Sequence, residues 1–384
     1  MKRNIYLDHA ATTQPFPEVL DAMLPFYGNY YGNPSAGYEL GEKSKKAIEE
    51  ARGMIAATLS VEPETIYFTS GGTEADNWAL NFAARMPKNH RAHIITSAIE
   101  HHAVLNTCRE LEQRGIRVTY VPVNRDGIVD LAYLARAITP ETTLISIMFA
   151  NNEIGTIQPV EKIGWIAKKA GVLFHTDAVQ AYGQIPINPN RMGIDMMSVS
   201  GHKLNGPKGI GFLYVKKECD LKPFLFGGGQ ERKMRAGTEN VPGIVGIGKA
   251  AQISHRIMKR KIQHEIMLRN YLIQRIFREI PSVKLNGSLD MRLPNNVNVS
   301  IAGVNGGALV ALMDLEGVCV SAASACSVGS GEPSHVLLAI GNSKEEAYGS
   351  VRLTLGPQNT REEIDLALEL LKKSVFRLRE MEEN

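Results

Sequence analysis

The run LISIMFA, residues 144–150, is apolar at every position but Ser146. A strand with one wet face alternates apolar and polar residues, so a run that is apolar on both faces must be covered on both. Similar short β-rich runs recur at Ile66–Thr69, His93–Ser97, Arg117–Pro122, Val172–Asp177, Met196–Ser200 and Ile210–Val215. Helical patterns lie between them, among them Thr73–Arg85, His101–Arg114 and Pro159–Ala170. Alternation of this kind predicts an α/β unit with a mostly parallel, seven-stranded sheet between two helical layers. Glu42–Leu59 places Ala47, Ile48, Ala51, Ile55 and Leu59 on one helical face, which reads as packing.

Past Pro242 the pattern changes. Ile244–Ile280 reads as one long or broken helix, rich in Lys and Arg and long enough to span two domains. Asn296–Ile301, Ala308–Leu315, Cys319–Val320, Pro333–Ile340, Val351–Leu355 and an amphipathic helix from Arg361 then predict a smaller α+β domain. With 384 residues the chain is long enough for two domains. The expected division is 16–255 for the large domain, and 1–15 with 256–384 for the small one.

Net charge is +3, nearly balanced for this length, and gives no basis for a nucleic-acid or membrane partner. The opening MKRNIYLDHAATT has no apolar run of signal-peptide length, and no later stretch has about eighteen uninterrupted apolar residues. The expectation is a cytoplasmic protein. Cys108, Cys219, Cys319 and Cys326 lack C-x-x-C spacing, which argues against a disulfide framework and a structural zinc site. Gly201 and Gly206 have P-loop spacing, but Pro207 and Lys208 follow where Lys and Ser or Thr are needed. His101 and His102 are adjacent, so on a helix their rings point about 100° apart, a weak metal signal. No metal site is expected.

TSGGTEADN, 69–77, follows a strand and opens a helix. Backbone amides at a helix start, approachable past Gly71 and Gly72, form an anion cradle to which Thr73 adds a hydroxyl. The plainer reading is a glycine turn with a Thr cap. Three other strand ends carry polar groups: Asn151, Asn152 and Glu153; Asp177 and Gln180; Ser200, His202 and Lys203. Singly, a capping Asp, a turn Asn and a snorkelling Lys explain them. In a parallel sheet, however, the carboxyl ends of strands gather on one edge, where ligands bind. Together they are the inventory that pyridoxal 5′-phosphate requires: an amine, a carboxylate for the ring nitrogen and a cradle for the phosphate.

The blocks LDHAATT (7–13), GNPS (32–35), TSGGTEADN, IEHHAVL, NNEIG, HTDAVQ, SGHKLNGPKGIG, GGGQERKMRAGTEN, SACS followed by EPSHVL, and SVRLTLG run in order along nearly the whole chain. In these the sequence resembles the NifS/IscS-type cysteine desulfurases, pyridoxal-phosphate enzymes of the class V aminotransferase family with fold type I. The resemblance implies Lys203 as the lysine joined to the cofactor, Asp177 on its ring nitrogen and Gln180 on its ring oxygen. It implies His101, not His102, stacked on the ring and helping to move protons. Gly72, Thr73, Ser200 and His202 would hold the phosphate. Thr238 would reach the cofactor of a neighbouring subunit, which implies a homodimer with shared sites. Asn152 and Arg352 would bind the substrate carboxylate.

Cys326, in the small-residue run SAASACSVGSGEPS, would take sulfur from L-cysteine as a persulfide and pass it to an acceptor protein, leaving alanine. Ala323 and Ser327 stand where the family usually has Gly and Thr, and Ala36, Gly37 and Tyr38 depart from the usual sequence after GNPS. A selenocysteine lyase or a small-amino-acid aminotransferase of the same fold would share the cofactor residues, and a binding-only sulfur-relay scaffold would not need them. Cys326 is the residue that separates sulfur transfer from transamination.

Overall fold

The computed structural model describes residues 4–86, 92–322 and 332–383. Its main sheet has seven strands in the order Ile66–Thr69, Gly211–Val215, Met196–Ser200, Leu173–Asp177, Thr142–Ser146, His93–Ser97 and Arg117–Val121. The last five pair in parallel, whereas Gly211–Val215 runs antiparallel to both its neighbours.

Strand alternation divides the apolar residues between two cores. Ile95, Ile145, Met197 and Phe212 face one side, with Ile48 and Ile55 of the helix Glu39–Leu59. Ile94, Leu144, Met196 and Leu213 face the other, with Trp78 and Leu80 of Gly72–Ala84 and Val104 of His102–Gln113. Both faces are therefore dry, as the apolar strands require.

The expected strand 144–150 is assigned only to Ser146. Beyond it the amide of Met148 turns to the Glu100 carboxylate at 2.9 and 3.0 Å, although Phe149 N–H still donates to the carbonyl of Asp177 at 2.8 Å. A buried acid thus takes a donor that would otherwise serve the ladder.

The long helix is continuous over Val241–Glu279, 39 residues. At about 1.5 Å per residue it is roughly 58 Å long. Its first half contributes Ile244, Ile247 and Ala250 to the large core, and its second half gives Leu268, Leu272 and Ile276 to another. That second core lies against an antiparallel sheet ordered Ser321–Ala322, Ser350–Thr354, Asn296–Ile301 and Val283–Leu285. The helix Arg361–Glu383 packs on it, and so do Ile5 and Leu7 from the start of the chain. Among the described residues no helix is long and apolar enough to cross a membrane.

Candidate active site

The carboxyl ends of Leu173–Asp177 and Met196–Ser200 meet the start of the helix Gly72–Ala84 at a cleft of about 330 Å³. Ten of the residues singled out from sequence line it: Gly72, Thr73, His101, Asn152, Asp177, Gln180, Ser200, His202, Lys203 and Arg352. Thr238 does not. It is exposed and lines a separate hollow of about 80 Å³ with Ser70 and Arg235. Cys326 lies outside the described residues. A larger apolar cavity, about 570 Å³, between residues 58–60, 182–187 and the long helix, contains none of these residues.

Lys203 ends a single 3-10 turn, Gly201–Lys203, directly after its strand. It is half-buried, and its Nζ donates to the carbonyls of Ala10 at 2.5 Å and Ala11 at 2.6 Å. The segment Asp8–Thr13 thus roofs the lysine. Thr13 binds the carbonyl of His202 through both its amide, 2.9 Å, and its hydroxyl, 2.8 Å. Thr12 Oγ1 lies 3.1 Å from His202 Nδ1, and Gln180 Nε2 donates to the Ala10 carbonyl at 3.0 Å.

Asp177 is buried, and its Oδ1 accepts the amide of Val179 at 2.9 Å. Burial pushes its pKa up to about 6, opposed by that hydrogen bond and by the charge of Lys203. His101 caps the helix His102–Gln113: its Nδ1 accepts the amide of Ala103 at 3.1 Å. Burial and the nearby Lys203 push its pKa down to about 4, so the ring is neutral and its proton sits on Nε2. The His202 ring is pushed down to about 4 by burial, then by Lys203 and Lys208.

Arg352 rises from the second sheet into the cleft. Its Nη2 donates to Asp8 Oδ1 at 2.8 Å and its Nη1 to the carbonyl of Asn152 at 2.9 Å, while its buried Nε has no partner among the described residues. One guanidinium thereby ties together the roof, the end of the 144–150 run and the smaller sheet.

Gly72 is required by space. A Cβ there would lie 2.6 Å from Cγ2 of Val179, and one on Gly211 would lie 2.7 Å from Cα of Gly71. The helix start is thereby pressed against the strand ends, with Ser200 beside it.

Sequence reasoning left three contributors without a role: the roof carbonyls of Ala10 and Ala11, Asp8, and Asp76. Asp76 lines the cleft and is 1% exposed. Its position four residues after Gly72, on the same helix face, was the available signal.

A sheet that gathers an amine, a buried acid and a glycine-crowded helix start at its carboxyl edge has the arrangement of an α/β enzyme, whose ligands bind at that edge. A family model described as class-V aminotransferase matches residues 5–367, and the chain belongs to that family. Two similar relatives are named cysteine desulfurases. The chain is 49% identical over 383 residues to cysteine desulfurase IscS of Clostridium botulinum, covering 99% of this chain and 96% of that protein. It is 50% identical over 377 residues to the IscS of Methanosarcina thermophila, covering 98% and 93%. Among solved structures, one titled NifS-like protein superposes with a TM-score of 0.92 at 38% identity, covering 97% of this chain and all of that one.

Proposed function

We propose that this chain is a pyridoxal 5′-phosphate-dependent cysteine desulfurase. It takes sulfur from L-cysteine, releases L-alanine and carries the sulfur as a persulfide on Cys326 to an acceptor protein, for iron–sulfur cluster assembly or thiolation. The observation that carries the reading is the convergence of Lys203, Asp177, Gln180, His101 and the Gly72–Thr73 helix start on one cleft.

The residues fit the cofactor. Lys203 Nζ supplies the amine, and the glycine-crowded helix start, with Thr73, Ser200 and His202, supplies donors for a phosphate. Asp177 is a buried acid with one backbone donor, and a ring cation would satisfy it. When bound, the cofactor supplies an electron-withdrawing ring that stabilises negative charge at the substrate Cα. Lys203 Nζ accepts the Cα proton, and Gln180 and His101 hold the ring in orientation. Arg352 and Asn152 fix the substrate carboxylate, a task suited to a forked guanidinium. The Cβ–S bond of cysteine breaks as an S–S bond to the Cys326 thiolate forms. The electron pair stays on Cβ, which takes a proton, and the proton held by Lys203 returns to Cα, which gives alanine.

The working unit is a homodimer with shared sites in which Thr238 serves the neighbouring subunit. Exposure of Thr238, together with Leu24, Tyr27, Tyr31 and Phe226 at 63%, 66%, 72% and 79%, supports this reading. We also propose a large unit of 16–255 and a small unit of 1–15 with 256–384, in line with the two separate cores, and a cytoplasmic location.

The test is direct. Purified protein is expected to be yellow, to lose its visible absorption in Lys203→Ala, and to form alanine from L-cysteine and a reductant. Mass spectrometry of Cys326 after incubation with L-cysteine is expected to find one added sulfur. Alanine appearing only when an α-keto acid is supplied would instead mean a transaminase.

A further inference from the structure

Beneath the cleft, one face of the main sheet carries a continuous polar strip of which the proposed reaction uses only Asp177. His175 and Asp177 alternate onto the same face of their strand. Ser146 lies opposite His175 in register and Ser198 opposite Asp177. His175 Nδ1 is 2.9 Å from Ser146 Oγ, and its Nε2 is 2.9 Å from Ser198 Oγ. Asp76 reaches down onto this strip from the second turn of Gly72–Ala84. Its Oδ1 lies 3.6 Å from His175 Nε2 and, among the described residues, accepts no hydrogen bond, although the atom is buried.

The cleft is therefore lined by two buried acids, Asp76 and Asp177. The ionisable groups facing Asp76 are Asp177 and His175 on the sheet, and Glu100 beyond the end of His93–Ser97. Burial keeps His175 neutral, its pKa pushed down to about 3, and pushes Glu100 up to about 8. The two acids are unequally served. Asp177 has the Val179 amide and the field of Lys203. Asp76 has the Ser198 hydroxyl, two acids for neighbours and an orphaned oxygen. Two buried carboxylates near one another do not both ionise unless each is compensated, and the charge settles on the better-served one.

We propose that Asp76 is a positioning residue for the ring-nitrogen carboxylate: it keeps its proton at neutral pH, so that the pair carries one negative charge and carries it on Asp177. Burial and the charge of Asp177 both push Asp76 well above the usual carboxylate range, in keeping with this. One anion then matches one ring cation, and no second counter-charge is needed in the cleft. The inference rests on the reading of Asp177 as the partner of the ring nitrogen.

The test is infrared spectroscopy of the cofactor-loaded protein made with isotopically labelled aspartate. At neutral pH the label is expected to move a carboxylic-acid carbonyl band in the wild type, which separates an aspartic acid from protonated Glu100. Asp76→Asn is expected to remove that band. The variant should also bind pyridoxal 5′-phosphate within about threefold of wild type, because an amide replaces a neutral acid of the same shape. No labelled acid band in the wild type, or a band that persists in Asp76→Asn, overturns the proposal. So does a loss of cofactor affinity of about tenfold or more, the sign of a missing anion. The labelled wild type gives its answer whether or not the variant folds. A colourless protein that takes up no pyridoxal 5′-phosphate would sink the proposed function instead, and would leave the proton on Asp76 readable by itself.

Discussion

At the scale of single residues, the cleft depends on how each charge is compensated. Arg352 is 4% exposed and uses two arms of its fork on Asp8 and the Asn152 carbonyl. Lysine cannot make both contacts from one plane, so Arg352→Lys is expected to raise KM for L-cysteine about tenfold or more while the visible absorption is kept. Steady-state kinetics beside an absorption spectrum checks this. Glu100 is a fully buried acid that accepts the Ser97 hydroxyl at 2.5 Å and the Met148 amide. Burial raises it to about 8, so between its unfolded value and that point the folded chain holds a proton that the unfolded chain has released. This group therefore weakens the fold as pH rises through that window. In Glu100→Gln, urea midpoints are expected to fall less between about pH 5 and about pH 8 than in the wild type. Lys203, Asp177 and Gln180 were legible because each follows a strand end in sequence. For Asp76 only its place on the Gly72 face of the helix was legible, because its chemistry comes from Asp177, which only folding brings near.

At the scale of elements, most boundaries were legible within one to three residues, since apolar periodicity is a local property. Met196–Ser200 and Ile66–Thr69 coincide with their expected spans, and Ile244–Ile280 proves to be a single helix starting at Val241. The 144–150 run departs because Glu100, from another strand end, captures the Met148 amide, and no local pattern records that. The long helix crosses Glu39–Leu59 at close range. A Cβ on Gly248 would lie 2.7 Å from Cβ of Ala51. Gly248→Val must push the two helices apart, and is expected to cost about 1–3 kcal/mol, measured by urea unfolding. The roof was legible as a sequence block but not as a roof: Asp8–Thr13 has no strand or helix of its own over most of its length.

At the scale of the whole molecule, the proposed dimer has its own test. Sedimentation is expected to give twice the 42.2 kDa chain mass. If Thr238 serves a neighbour's cofactor, mixing Lys203→Ala with Thr238→Ala after subunit exchange should restore activity to one site per mixed dimer. No recovery, with exchange confirmed, would remove the shared site. By itself the sequence determined the α/β class, the seven strand runs and the set of strand-end residues, because periodicity and strand-end chemistry are read within a few positions. Only the tertiary structure decided what stands over and behind them. Ala10 roofs Lys203 across 193 positions of chain, and Asp8 meets Arg352 across 344. Such contacts follow from sheet order and from the path of the first residues over the finished core, and neither is encoded in any local preference.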